Sequence, residues 1–317
     1  MEFDISYLLF LQNIRESTGG VFDEFFNALS KFAVDILPFL GYIIFWSVSK
    51  KWGYRFMITL WCGEVINGLL KLIVCAYRPW IRSDKINPAG DSKVAATGYS
   101  FPSGHSTVAT IHYGTIFAWQ RKKRMWLAIV CAVLLFLTCF SRNYLGVHTP
   151  QDVLVGFGVS VVLIIVVGFS QKKLEGNQKA VDILTFAGIA AVLGVLIFVM
   201  FKPYPMDYDA SGVLLVDPQD MIRGGYEAIG GFLGILLGSY VETKYICFRI
   251  EGLLKEQKIK RAVAGSIVVF LLLGIGKAIL PGLLGIMPGS LLGRFIPYFT
   301  ASAVYPLCFM RKGDQEK

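Results

Sequence analysis

Charge and histidine are what this chain has least of. Only 17% of its residues are charged and three are histidine, while 55% are hydrophobic and the mean hydropathy is +0.57. That balance excludes a soluble globular domain and puts the chain among polytopic membrane proteins. The six cysteines add no framework. Cys62, Cys75, Cys131, Cys139 and Cys308 fall in apolar runs, Cys247 lies in a basic connection, and no CxxC spacing occurs. No carboxylate pair stands at ligand spacing from the histidines, so no metal and no cofactor is expected. The first 30 residues do not read as a secretory leader, because Glu2 and Asp4 stand where a basic n-region belongs. Phe3, Ile5, Tyr7, Leu8, Leu11 and Ile14 predict an interfacial helix instead.

What is present is a series of apolar runs, each near the length that crosses a ~30 Å hydrocarbon core. They lie at about 32–49, 55–77, 104–120, 125–141, 151–170, 180–201, 219–241, 262–282 and 289–310. The expectation is an all-α, polytopic helical bundle of about nine transmembrane helices. Residues 1–30 would form an interfacial segment, 31–170 a catalytic core, and 171–317 additional helices. The net charge of +9 could suggest a nucleic-acid partner, but its placement does not. Nineteen of the 31 cations sit in Lys50–Arg55, Arg121–Arg124, Lys172–Lys179, Lys244–Arg261 and Arg311–Lys317, which alternate with the other connections. The positive-inside rule makes those segments cytoplasmic and the bilayer the partner. The N-terminus and the connections 78–103, 142–150, 202–218 and 283–288 are then extracytoplasmic and the C-terminus cytoplasmic, in the cell membrane. Asp207, Asp209 and Asp217 against one Lys202 agree with that side for 202–218.

Three segments at the outer ends of these runs carry the chemistry. Lys71 and Arg78, seven apart, are expected on one helix face, with the helix ending at Arg78 because Pro79 follows. Glu64 and Asn67 extend that face inward and could orient Lys71. Pro102-Ser103-Gly104-His105 reads as a turn into a helix whose first N–H groups are free, with Gly104 letting a ligand approach the backbone. In Ser141-Arg142 through His148 to Asp152, the carboxylate lies at i+4 from His148. It can accept the Nδ1 proton and leave Nε2 free to attack, and Thr149 with Asp152 can equally form a capping box. Cations, free helix N–H groups and paired histidines suit a phosphoryl group. His112, one face deeper, is expected to be structural, and Glu227, Lys277 and Arg294 are expected to form ion pairs or polar packing.

Lys-x6-Arg-Pro, Pro-Ser-Gly-His and Ser-Arg-x5-His-x3-Asp, in that order, resemble the three signature motifs of the type 2 phosphatidic acid phosphatase (PAP2) superfamily. The resemblance covers residues 71–152 and implies metal-independent hydrolysis of a phosphomonoester. In that scheme His148 is the nucleophile forming a phosphohistidine and Asp152 orients it. His105 is the general acid, and Lys71, Arg78, Ser103, Gly104 and Arg142 hold the phosphate. One span before the Lys-x6-Arg-Pro helix and about four after the core look more like the glucose-6-phosphatase and sphingosine-phosphate phosphatase branches than the minimal bacterial layout. A lipid phosphate is the leading substrate, with a sugar phosphate, an isoprenyl (pyro)phosphate or phosphoryl transfer to another acceptor as alternatives. The non-enzyme alternative is a phosphate-binding transporter, which an internal inverted repeat would favour. The superfamily's vanadate-dependent haloperoxidases resemble soluble proteins, which this composition excludes.

Overall fold

A computed structural model describes residues 3–309. Helices run in the order α1 (Phe3–Ser17), α2 (Asp23–Asp35), α3 (Pro38–Ser47), α4 (Lys50–Val74), α5 (Pro79–Arg82), α6 (Ser92–Ala95), α7 (Gly104–Gln120) and α8 (Met125–Tyr144). They continue with α9 (Pro150–Lys173), α10 (Gln178–Phe201), α11 (Pro218–Val241), α12 (Lys255–Leu284) and α13 (Ile286–Phe299), with π-helical turns at Glu242–Ile246 and Thr300–Val304. Among the described residues the only β-pairing is one isolated bridge, Tyr208 to Leu214. The fold is an all-α bundle of an integral membrane protein. Among the described residues, five helical segments are long and apolar enough to span a bilayer, or six if α2 and α3 count as one broken span. Pro38 explains that break in the run expected at 32–49, since the residue before a proline avoids helical backbone. Every other expected run also contains a helix; the basic cluster Arg311–Lys317 and the end of the last run lie outside the described residues.

The outward residues of the long helices are apolar: Trp126, Phe136, Ile165, Phe169, Phe186 and Phe270 are all exposed. A surface of this kind suits lipid, which dissolves it without requiring polar groups.

The chain forms two compact units. The first comprises the chain up to Pro38, Ile66–Ile165 and Phe201–Ile222; the second comprises Phe39–Val65, Val166–Met200 and everything from Arg223 on. In the first, Ala33 and Leu37 of α2 pack on Ala109 and Tyr113 of α7 and Cys131 of α8. Phe26, Tyr144, Leu145 and Val147 close the end of that core with Ala89 and Ala96. The apolar stripe of α1 does not only face a membrane surface. Ile5 and Leu8 are buried against Ile86 and Trp80, and Gln12 and Arg15 bond to the backbone of Lys85 and Asn87. Thus α1 braces the 78–103 connection. Gly156 lets α9 approach the start of α7, because a Cβ there would stand 2.7 Å from the Ser103 carbonyl oxygen.

In the second unit, Tyr42, Phe45, Trp46, Met57 and Trp61 pack with Ile235, Val269, Tyr298 and Ala301. Trp46 Nε1 donates to the Ala301 carbonyl at 2.8 Å, a buried polar group satisfied by a backbone acceptor. Arg294 of α13 donates through Nε and Nη2 to one oxygen of Glu227 on α11, at 3.0 and 2.9 Å. Pairing keeps both charges tolerable within an apolar span.

Candidate active site

The motif residues of α4, α7, α8 and α9 converge within the first unit. One expectation fails in its geometry. Lys71 and Arg78 do not share a helix face, because α4 ends at Val74 and Cys75 turns left-handed at φ +51°. The chain then runs extended to Arg78 (φ −65°, ψ 153°), which precedes Pro79 at the first position of α5. The pre-proline restriction acts as expected, but four residues after the helix end. The two cations therefore reach the site from different backbones.

Both are aimed by the carbonyls of one loop. Lys71 Nζ donates to the Tyr99 and Ser100 oxygens at 2.8 and 3.2 Å. Arg78 donates from Nε to Gly98 O (3.0 Å), from Nη2 to Thr97 O (2.8 Å) and from Nη1 to Val147 O (3.0 Å). Gly98 holds φ +68°, and a Cβ on it would collide with the Met221 sulfur, so Met221 of α11 sits in the hollow that the glycine leaves. The connection before α11 reaches this region as well: Asp207 accepts from Tyr77 OH at 2.5 Å, and Lys202 Nζ lies 3.6 Å from Cys75 Sγ.

His148 lies in the turn between α8 and α9 and is 2% exposed. Its Nδ1 is 3.3 Å from Asp152 Oδ2, and its Nε2 is 2.9 Å from Arg78 Nη1. A guanidinium can only donate, so Nε2 carries the lone pair and Nδ1 the proton. Asp152 Oδ2 also accepts from Thr149 N (2.8 Å) and Ser100 Oγ (2.5 Å), while Thr149 Oγ1 accepts from Asp152 N (3.3 Å). The capping box and the His–Asp contact thus share one carboxylate. Burial first, then the positive charges of Arg78, Lys71 and Arg142, push the His148 imidazole well below its ordinary value, so it is neutral at pH 7.

Arg142, in the last turn of α8, is fully enclosed. Its Nη1 donates to Ser30 Oγ on α2 at 2.8 Å, and its Nε is buried without a hydrogen-bond partner among the described residues. Ser103 caps α7 by accepting from Ser106 N at 3.3 Å and is tied to α9 through its own N–H to Asp152 O at 2.9 Å. Gly104 has no positive φ, and a Cβ on it would meet only Asn67 Oδ1 at 3.7 Å. Packing therefore does not demand glycine there, and the space above the backbone stays open. His105 is half-buried within electrostatic reach of Arg142, His148, Arg78 and Lys71. Asn67 donates to Thr107 Oγ1 at 3.0 Å and to Pro102 O at 3.5 Å, bracing the turn before α7. Glu64 falls in the second unit, two turns before Lys71 along α4. His112 is buried with Nδ1 2.9 Å from Val108 O. Among the described residues no three His, Cys, Asp or Glu side chains cluster as metal ligands.

The profile of the PAP2 superfamily matches residues 51–174, and that of a PAP2 superfamily phosphatase transmembrane extension matches 226–317. Phosphatidylglycerophosphatase B of Bacillus subtilis (strain 168) is 30% identical over 161 residues, 47% of this chain and 73% of that protein. This chain belongs to the PAP2 superfamily. It is a phosphoric monoester hydrolase by class. Two further PAP2 relatives are more distant. Undecaprenyl-diphosphatase of Sulfolobus acidocaldarius is 27% identical over 121 residues, 38% of this chain and 56% of that protein. Lipid A 4'-phosphatase of Bacteroides thetaiotaomicron is 22% identical over 224 residues, 62% of this chain and 95% of that protein. No solved structure gives a significant match. All the motif residues lie inside the PAP2 region, whereas Met221 and the rest of Phe201–Ile222 fall between the two matched stretches.

Sequence reasoning missed Ser30, Ser100, Met221 and the carbonyls of Thr97 to Ser100. Only Gly98 left a signal, as a glycine in a long connection joining two motifs.

Proposed function

We propose that this PAP2 enzyme hydrolyses a lipid phosphomonoester without a metal, at the extracytoplasmic face, through a phosphohistidine on His148. The observation that carries the reading is the line from Asp152 through His148 to Arg78, beside a buried Arg142 Nε with no partner and an open face over Gly104. An oxyanion bound there would take hydrogen bonds from Lys71, Arg78, Arg142 and the first N–H groups of α7, with Ser103 adding its hydroxyl. It would also draw Arg78 off Nε2 and expose the lone pair. His148 Nε2 then attacks phosphorus as the ester P–O bond breaks, and His105 gives its proton to the departing alkoxide. Water next attacks the phosphohistidine, His105 takes a proton from it, the P–N bond breaks, and inorganic phosphate leaves. Asp152 steadies the positive charge that His148 acquires.

Two lines support a lipid substrate. The relatives are named for phosphatidylglycerophosphate, undecaprenyl diphosphate and lipid A. Lys71, Arg142 and Asp152 also stand near the ends of the membrane-length helices α4, α8 and α9, where a headgroup rather than a tail would sit. The alternation of basic connections supports the outward side. The test is phosphate release by the purified protein in chelator from phosphatidate, sphingoid phosphate, isoprenyl diphosphate and glucose 6-phosphate, with acid-labile phosphate trapped on the enzyme. Turnover of a lipid, lost in His148→Ala together with the trapped phosphate, is the expected result. Activity confined to the sugar phosphate would refute the lipid reading. Undiminished turnover in His148→Ala would refute the mechanism.

A further inference from the structure

The buried side of α2 is one stripe, Phe26, Ser30 and Ala33, at helical spacing. Phe26 packs edge-on against Phe140 and tilted against Tyr144, and Ala33 is buried with Ala109, Tyr113 and Cys131. Ser30, between them, is fully buried and is the one polar member of the stripe. An alanine would serve packing there and would spare the cost of taking a hydroxyl out of water. The serine therefore calls for a reason, and what it meets is Arg142 of α8.

Ser30 Oγ donates to its own helix at Asn27 O, 3.0 Å away, so what it turns toward Arg142 is a lone pair. Arg142 Nη1 donates to that oxygen at 2.8 Å, the guanidinium's one hydrogen bond among the described residues. The positive charge of Arg78 stands within electrostatic reach and repels it. Backbone contacts do not hold the side chain in place. The Arg142 carbonyl accepts from Val147 N and His148 N at 3.2 Å each, which fixes the main chain beside the nucleophile and leaves the side-chain torsions free. A carboxylate at position 30 would hold the guanidinium and cancel its charge. A hydroxyl whose proton is already committed holds it and leaves the charge whole. The contact comes from a helix that precedes the matched stretch 51–174.

We propose that Ser30 is a positioning residue for the phosphatase reaction, aiming Arg142 at the substrate phosphate from outside the PAP2 region. The inference rests on the reading of Arg142 as a phosphate ligand. A serine that only filled the stripe would show in stability and not in anion affinity.

Calorimetric titration of the purified full-length protein in detergent with orthovanadate, beside the thermal midpoint of each variant, tests it. Ser30→Ala should weaken vanadate binding about tenfold, as expected for one hydrogen bond to a charged group. Ser30→Cys keeps the volume but accepts hydrogen bonds weakly, and it should share the loss, so the comparison survives if the alanine variant does not fold. Ser160→Ala is the control. It removes an equally buried serine of α9 whose hydroxyl bonds only to the Gly156 and Thr107 carbonyls, and it should leave vanadate binding unchanged. In an Arg142→Ala background the Ser30 substitutions should have no further effect, because the residue acts through that guanidinium. Unchanged or tighter binding in both Ser30 variants, or the same loss without Arg142, would overturn the positioning role. Undiminished vanadate binding by Arg142→Ala alone would refute Arg142 as a phosphate ligand, and with it the reading beneath this one.

Discussion

Replacing Asp152 by asparagine should separate charge from orientation in this site. In a Ser-His-Asp triad the same change costs about 10⁴ in kcat because the amide selects the wrong histidine tautomer. Here the carboxylate oxygen facing His148 also accepts the backbone N–H of Thr149, a donor that cannot reverse. An asparagine must therefore put its carbonyl oxygen on that spot. The Nδ1 proton of His148, the Thr149 N–H and the Ser100 hydroxyl would all keep their acceptor. What disappears is one negative charge beside an imidazole that becomes cationic when phosphorylated. At roughly 4 Å and an effective dielectric near 20 that interaction is about 4 kcal/mol, or about 10³ in the phosphorylation rate. Asp152→Ala should do worse and also destabilise the fold, since three buried donors lose their acceptor at about 1–3 kcal/mol each. Single-turnover phosphate release, with the thermal midpoint of each variant, gives both numbers. An asparagine variant within tenfold of wild type would refute the charge argument, and one as inactive as His148→Ala would refute the retained tautomer.

Three other outcomes follow from the same contacts. Met221→Ala should raise the inhibition constant of orthovanadate about tenfold, one hydrogen bond's worth at Arg78, and Met221→Leu should restore it; an unchanged constant in the alanine variant would remove Met221 from any positioning role. With only three histidines, selective labelling makes His148 visible by NMR. It should stay neutral at pH 6 in the free enzyme and titrate at higher pH once vanadate offsets the nearby cations; a free-enzyme midpoint at 6.5 or above would contradict the electrostatics. Cysteine at the exposed Asp91 should react with an impermeant reagent on intact cells and cysteine at Lys122 should not, and the reverse would invert the topology.

How far the sequence reveals this molecule depends on the range of the interaction concerned. Spans, the caps at Ser103 and Thr149 and the i+4 pairing of His148 with Asp152 are local, and helical periodicity makes them readable. Cys75 hides the end of α4, because a left-handed cysteine has no compositional mark. Arg142 could be picked out by motif, but its partner Ser30 lies 112 residues away on α2. The meeting of Met221 with Gly98 is likewise tertiary, and nothing in the first turn of α11 announces it.

The carbonyl collar around Lys71 and Arg78 bears on how such an enzyme works inside its own solvent. A lysine or arginine held by carboxylates is half-neutralised before any ligand arrives. Here the carbonyls of Thr97, Gly98, Tyr99, Ser100 and Val147 accept from Lys71 and Arg78, and a serine hydroxyl accepts from Arg142. The second negative charge of a monoester then counts heavily, at about 4 kcal/mol for each cation some 4 Å away before desolvation. The phospholipids of a bilayer are mostly diesters with one charge on phosphorus, present in vast excess over any phosphomonoester. In the proposed reaction, a collar of dipoles around these cations would favour the rare dianion over that crowd.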